Sequence, residues 1–262
     1  MNILFWNVKR KNNVGIIENL IKTYELDLVI LAESENTGFE RLCTIFGDYA
    51  YVRHEVCTDI KMLCKSDYNP EIVMGTGHGF PILVEDSELG KLLIVGCHLS
   101  SDLNQDGQRR RMKQICELQN QINQYESKFQ EVKTILIGDF NCSPFDDEMI
   151  DQEYLNAVLY KSIIQNKEYN VWEHERYRRF YNPMVSLISE DDEQWGSYYY
   201  CGGKKPLYWF CFDQVLLRRS LINSIHKIEY LKSIGDTSFM TKNKLINKRY
   251  SDHLPLLVVI RE

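Results

Sequence analysis

Asp139 and Asn141 stand two residues apart where the apolar run Thr134 to Ile137 stops at Gly138, in the stretch TILIGDFNCSPF. In extended chain such a pair leaves the same face, so a carboxylate and an amide can converge here on one ion or one water. Gly, Asp and Asn are also turn residues, and an Asx turn closing a strand explains the segment taken alone. The arrangement recurs, however. Short apolar runs end on Asn7, Glu33 and His98, another begins just after Asp252 and His253, and Asp213 lies inside a sixth. One histidine at a strand end is usually an ordinary satisfied residue; five such coincidences in one chain argue for a shared site.

Carboxylates and amide oxygens without a thiolate cluster suit a hard divalent cation, Mg²⁺ or Mn²⁺, rather than a structural zinc. Two histidines beside such an ion suit hydrolysis, one taking a proton from water and the other protonating or stabilising a leaving oxygen. A carboxylate inside an apolar strand is costly unless paired. A histidine partner would give Asp213 that reason, since the carboxylate fixes the ring's tautomer and favours its charged form.

Strands over 2–7, 27–33, 91–98, 134–137, 208–217 and 256–260 are needed to carry these groups, each a continuous apolar run too short for a helix. Val14, Ile17, Leu20, Ile21 and Tyr24 fall at helical spacing, as do Met112, Ile115, Leu118, Ile122 and Tyr125 within 108–129. Asp146, Asp147 and Glu148 mark a helix start, with the helix running to about Tyr160. Residues 34–90 read as short strands between turn signals. Residues 161–206, with many aromatics, the arginines at 176, 178 and 179 and the acidic patch Glu190 to Glu193, read as loop-rich surface suited to substrate recognition. Arginines at 109–111 sit in a helix's first turn, where cations oppose the helix dipole; either they are simply solvated or an anion lies close by.

The 262 residues carry 31 Lys and Arg against 37 Asp and Glu, a formal charge of −6, so any polyanion must be held by local clusters at 9–11, 109–111 and 176–179. Eight cysteines show no CxxC spacing and read as reduced core residues. With no signal-peptide pattern and no span-length apolar window, the expectation is one soluble, cytoplasmic domain over 1–262, with no protein partner evident.

WN at 6 and 7, the strand ending in Glu33, CHL at 97–99, GDFN at 138–141, FDQVLL at 212–217 and SDH at 251–253 occur in this order across almost the whole chain. They resemble the motifs of the endonuclease/exonuclease/phosphatase superfamily, which includes pancreatic deoxyribonuclease, abasic-site endonucleases, deadenylases, inositol-polyphosphate 5-phosphatases and bacterial sphingomyelinases. The resemblance implies a four-layered α/β sandwich, two packed mixed β-sheets flanked by helices, with the site at one edge. It implies a metal-dependent phosphoester hydrolase using in-line attack of water. By position, Glu33 would be the principal metal ligand with Asn7 and Asp252 close to the ion, and Asp139 and Asn141 would orient the attacking water and the phosphate oxygens. His253, held by Asp213, would be the base or phosphate-polarising group, and His98 the leaving-group acid. The family's glutamine before the metal-binding glutamate is Ala32 here, and the tyrosine after the Asp213-type residue is Gln214. His98 argues against the abasic-site branch; Glu71 and Glu55 are the candidates for its carboxylate partner. Nucleic acid is the first expected substrate, with Lys9, Arg109 and Arg110 as its phosphate contacts. A small phosphorylated metabolite or lipid headgroup is the alternative, and a non-catalytic binding member of the same fold the lesser one.

Overall fold

The apolar runs become the central strands of two sheets, in a computed structural model that describes residues 1–35, 37–101, 106–188, 196–202 and 208–262. Sheet one holds β1 (Asn2–Asn7), β2 (Leu28–Ala32), β3 (Tyr49–Val52) and β4 (Ile60–Lys65) with the strands Ile225–Tyr230 and Leu256–Ile260. Its order runs from Ile225–Tyr230 through Leu256–Ile260 to β1, β2, β4 and β3. Sheet two runs in order through β5 (Glu71–Ile72), β6 (Gly79–Asp86), β7 (Gly90–His98), β8 (Lys133–Asp139) and the strands Asp213–Leu217, Phe180–Tyr181 and Ala157–Val158. β1 and β2 are parallel, as are β7 and β8.

The strands read as unbroken apolar runs because both faces are covered. Leu92 and Ile94 of β7 enter the core between the sheets, whereas Leu93, Val95 and Cys97 face Ile115, Leu118 and Ile122 of α3 (Gly107–Lys128). Val14, Ile17, Leu20 and Ile21 of α1 (Val14–Tyr24) are buried on sheet one, and Phe39 and Leu42 of α2 (Phe39–Ile45) join the same core. Two large mixed sheets flanked by helices are thus the expected architecture. The eight cysteines are unpaired, and no helix among the described residues is long and apolar enough to cross a membrane.

Three expectations are corrected. The helix starting at Asp147 is only Asp147–Ile150. It stops where Asp151 turns the chain, its side chain accepting from Glu153 N–H, and Asn156 takes a left-handed φ of 48° before the short strand at 157–158. The run 208–217 is two strands in different sheets, because Tyr208–Phe210 pairs with Tyr198–Tyr200 whereas Asp213 pairs with Asp139. Residues 161–206 contain a helix over Lys161–Asn166 and a hairpin of Tyr169–Trp172 with Glu175–Arg178. Trp195 and the acidic patch Glu190 to Glu193 lie outside the described residues.

Arg178, at the end of the hairpin, and Arg179 after it are half-buried and held by protein partners, whereas Arg176 stays exposed over the Tyr169 ring. Arg178 pairs with Glu126 at 2.8 Å and Glu168 at 2.7 Å, and Arg179 donates to Lys167 O at 3.0 Å. Fully buried Arg218 also holds Glu126 at 2.8 Å and donates its backbone N–H to Thr134 O. This places the cluster at the far end of β8, roughly 17 Å from Asp139 at about 3.4 Å per residue. Burial pushes the Glu126 carboxyl up, but Arg218 and Arg178 outweigh it and hold it below the usual range. Glu126→Ala would leave Arg218 buried without a counter-charge, so urea unfolding should show a loss of about 3–5 kcal/mol.

Candidate active site

Both sheets deliver their polar strand ends to one edge. Asn7 closes β1 opposite Ala32 in the parallel pair with β2, so Glu33 emerges beside it. His98 closes β7 opposite Asp139 at the end of β8, and Asp213 starts the next strand opposite Asp139, which puts three chemical groups on adjacent strands. Gly138 allows this close approach: a Cβ there would lie 2.0 Å from Cys97 O. His253 precedes the strand antiparallel to β1 and is tied to that strand twice. Trp6 Nε1 donates to His253 O at 3.0 Å, and Ser251 Oγ donates to Asn7 O at 2.6 Å while accepting the His253 N–H.

Asp139 is the hub. Its Oδ1 accepts the Asn141 backbone N–H at 3.0 Å, the Asx turn that the sequence suggests, and this aims Oδ2 into the site. Asn7 Nδ2 donates to Asp139 Oδ2 at 3.0 Å and to Glu33 Oε1 at 3.2 Å, bridging the sheets. His253 Nε2 lies 3.8 Å from Asp139 Oδ2, and His98 Nε2 lies 3.9 Å from both Asp139 Oδ2 and Glu33 Oε1. Asn141 Nδ2 donates to Leu99 O at 2.9 Å. Left-handed φ values at Lys9, Arg10, Glu33 and Asn141 concentrate backbone strain here, as functional sites commonly do.

Asp213 and His253 are buried and meet at 2.7 Å through Oδ2 and Nδ1. Burial pulls the imidazole down, but Asp213 and then Asp139 outweigh it and raise His253 to about 9. Burial raises the Asp213 carboxyl, with His253 opposing. One donor atom each from Asp139, Asp213 and His253 lies within 4.8 Å of the others, close enough to grip an ion. Two of the three already share a proton, and a hard cation would draw on carboxylate oxygens, of which Asp139 Oδ2 is the one turned into the site. Asp252 Oδ1 is buried without a hydrogen-bond partner, a further sign of fit.

Other expected residues are placed differently. Lys9 Nζ pairs with Asp252 Oδ2 at 3.1 Å, and its N–H donates to Asn7 Oδ1, so Asn7 turns its NH₂ rather than its oxygen to the carboxylates. Arg109 and Arg110 are exposed on α3, whereas Arg111 turns inward to Glu148 at 2.7 Å, the anion its position in the first turn called for. Glu71 is not a partner of His98. It pairs opposite Leu83, roughly 13 Å along β6 from the Gly79 that faces Cys97. The aromatics expected to serve recognition within 161–206 do reach the site, and what the sequence does not show is their contact with the histidine: Tyr198 packs on the His253 ring at 4.9 Å and on Phe212 at 5.4 Å, with exposed Tyr200 and Tyr208 beyond. The runs YYY and YWFCF are the signal of the surface itself.

No protein-family model and no curated protein matches the sequence. Solved structures do match its fold. The 3' phosphatase NExo from Neisseria, bound to a product DNA hairpin, is similar over 100% of both chains at 13% identity and a TM-score of 0.60. TDP2 from D. rerio, complexed with a single-strand DNA product, covers 100% of this chain and 99% of its own at 15% identity and a TM-score of 0.56. Truncated TDP2 from Caenorhabditis elegans gives 100% and 97% at 11% identity and a TM-score of 0.57. The chain therefore shares the fold of these structures, a deoxyribonuclease-like fold.

Proposed function

We propose that this chain hydrolyses phosphate esters with a divalent cation, Mg²⁺ or Mn²⁺, and that its substrate is a nucleic acid. The observation that carries the reading is the convergence of Asn7, His98 and His253 on Asp139 Oδ2, with Glu33 bridged to it through Asn7. Four carboxylates, of Glu33, Asp139, Asp213 and Asp252, meet three cations at this edge, Lys9 on Asp252, Arg10 on Glu33 and the charged His253 between Asp213 and Asp139, and the remaining negative charge favours a bound divalent ion. Glu33 would hold the ion, with Asp252 and Asn7 beside it. When bound, the ion neutralises phosphate charge and stabilises the leaving oxygen. A charged His253 donates to a phosphoryl oxygen rather than acting as a base, which leaves Asp139 to orient the attacking water and take its proton. His98 supplies the leaving oxygen's proton.

The nucleic-acid reading draws on the aromatic surface beside His253, which suits base stacking, and on the DNA products held by the structural neighbours. The protein partners of Arg178 and Arg179 favour a second reading, a small phosphorylated metabolite or lipid headgroup, because they leave only Arg176 of that basic cluster exposed to a nucleic-acid backbone. The test is hydrolysis of single- and double-stranded DNA, RNA, bis(p-nitrophenyl) phosphate and p-nitrophenyl phosphate, with Asp139→Ala run beside the wild type. Oligonucleotide cleavage by the wild type alone, abolished by EDTA and falling steeply with salt, is expected. Salt-insensitive turnover confined to small esters would favour the second reading, and equal rates in wild type and variant would end both.

A further inference from the structure

We propose that Arg111 and Gln114, two buried residues of α3, are positioning residues that set His98 for its part in cleavage; the inference rests on reading the site as a phosphoester hydrolase. Beyond His98 the chain leaves β7, and the backbone of Ser100 must find partners off the sheet. The helix supplies them. Arg111 Nη1 donates to Ser100 O at 2.9 Å, Gln114 Oε1 accepts the Ser100 N–H at 2.9 Å, and Gln114 Nε2 donates to Ser100 Oγ at 2.8 Å. Between His98 and Ser100, Leu99 is held by Asp139 O and by Asn141 Nδ2. On the other side of His98, its N–H donates to His78 O at 3.1 Å, and the His78 Nε2 lies 2.8 Å from Gln114 Nε2. Because Gln114 Oε1 is taken by Ser100, its NH₂ faces His78, and the His78 Nε2 is the acceptor. Gln114 therefore grips both chain segments that flank the His98 strand end.

Packing alone does not call for these groups. Ile115, Leu118 and Ile122 of α3 pack on the sheet as apolar residues, and Gln119 is the one other buried polar residue of the helix. Arg111 is 2% exposed and is fixed by Glu148, itself fully buried, at 3.1 and 2.7 Å. A buried ion pair is rarely more stabilising than an apolar pair of the same volume, so its hold on Ser100, two residues from His98, points to orientation. A displacement of about 1 Å at a proton donor can cost on the order of 10²-fold in rate.

Gln114→Met keeps the volume and removes the grip; Gln114→Glu keeps the acceptor for Ser100 N–H but removes the amide donors. Each is compared with wild type on a dinucleotide, whose alkoxide leaving group needs a proton, and on bis(p-nitrophenyl) phosphate, whose leaving group does not. The expected result is a fall in kcat of about 10- to 100-fold on the dinucleotide and little change on the aryl ester, with no further loss when Gln114→Met is added to His98→Gln. Equal losses on both esters, or additivity with His98→Gln, would overturn the inference and leave the hydrolase reading intact. If wild type cleaves neither these diesters nor p-nitrophenyl phosphate nor any of the nucleic acids, the hydrolase reading fails instead, and side-chain NMR still decides the positioning. The His98 ring signals should move in Gln114→Met while the rest of the spectrum holds, and unmoved ring signals would overturn it.

Discussion

Asp139→Asn is expected to lower turnover by on the order of 10³-fold or more while the protein unfolds close to wild type in EDTA. The substitution is isosteric, so the fold loses at most one hydrogen bond, worth about 1 kcal/mol. If the amide oxygen stays on Asn141 N–H, the new NH₂ meets the NH₂ of Asn7; if it flips, the Asx turn loses its acceptor. Asp139 repels Asp213 and attracts the charged His253, so losing its charge in the metal-free protein relieves one interaction at the cost of the other. The functional cost is much larger, because the proposed water-orienting charge, the anchor for His253 Nε2 and part of the cation's seat disappear together. Steady-state rates with Mn²⁺ and melting curves with EDTA separate the two effects. Activity within tenfold of wild type would show that Asp139 is not the hub of the chemistry.

Much of this site is legible in the sequence because its residues sit where buried strands stop. A strand covered on both faces leaves an apolar run, and the first polar residue after it marks the sheet edge; Asn7, Glu33, His98 and Asp139 are all found this way. Asp213 is legible as a carboxylate that had to be paired, and its partner is His253. What the sequence hides depends on residues far away in the chain. Arg178 looks like a surface cation until Glu126, 52 residues earlier, draws it inward. The break between Phe210 and Asp213 leaves no mark in an aromatic run, since it is set by two different pairing partners. The support of His98 is hidden for the same reason. The sequence suggests a carboxylate for the imidazole, whereas a glutamine and an arginine on a helix hold the chain around it.

Asp213→Asn should cost on the order of 10³- to 10⁴-fold in turnover, by analogy with loss of the orienting carboxylate in other His–Asp pairs. It should also change how stability depends on pH. With His253 raised from 6.5 to about 9 by Asp213 and Asp139, the folded protein holds the imidazolium proton more tightly than the unfolded chain does. That contribution is fully present below about pH 6.5 and is lost as pH rises through about 9. The loss is on the order of 3 kcal/mol for a shift of this size. Urea unfolding in EDTA at pH 6.5, 8 and 9.5 should therefore show wild type weakening with rising pH and Asp213→Asn weakening much less. The amide oxygen that replaces the carboxylate would still accept from the ring, so geometry is largely kept while the charge is gone. A variant that lost activity yet kept the wild-type pH slope would mean that Asp139 alone raises His253. The charged imidazole would then depend on the carboxylate in front of it, and Asp213 would serve only to orient the ring.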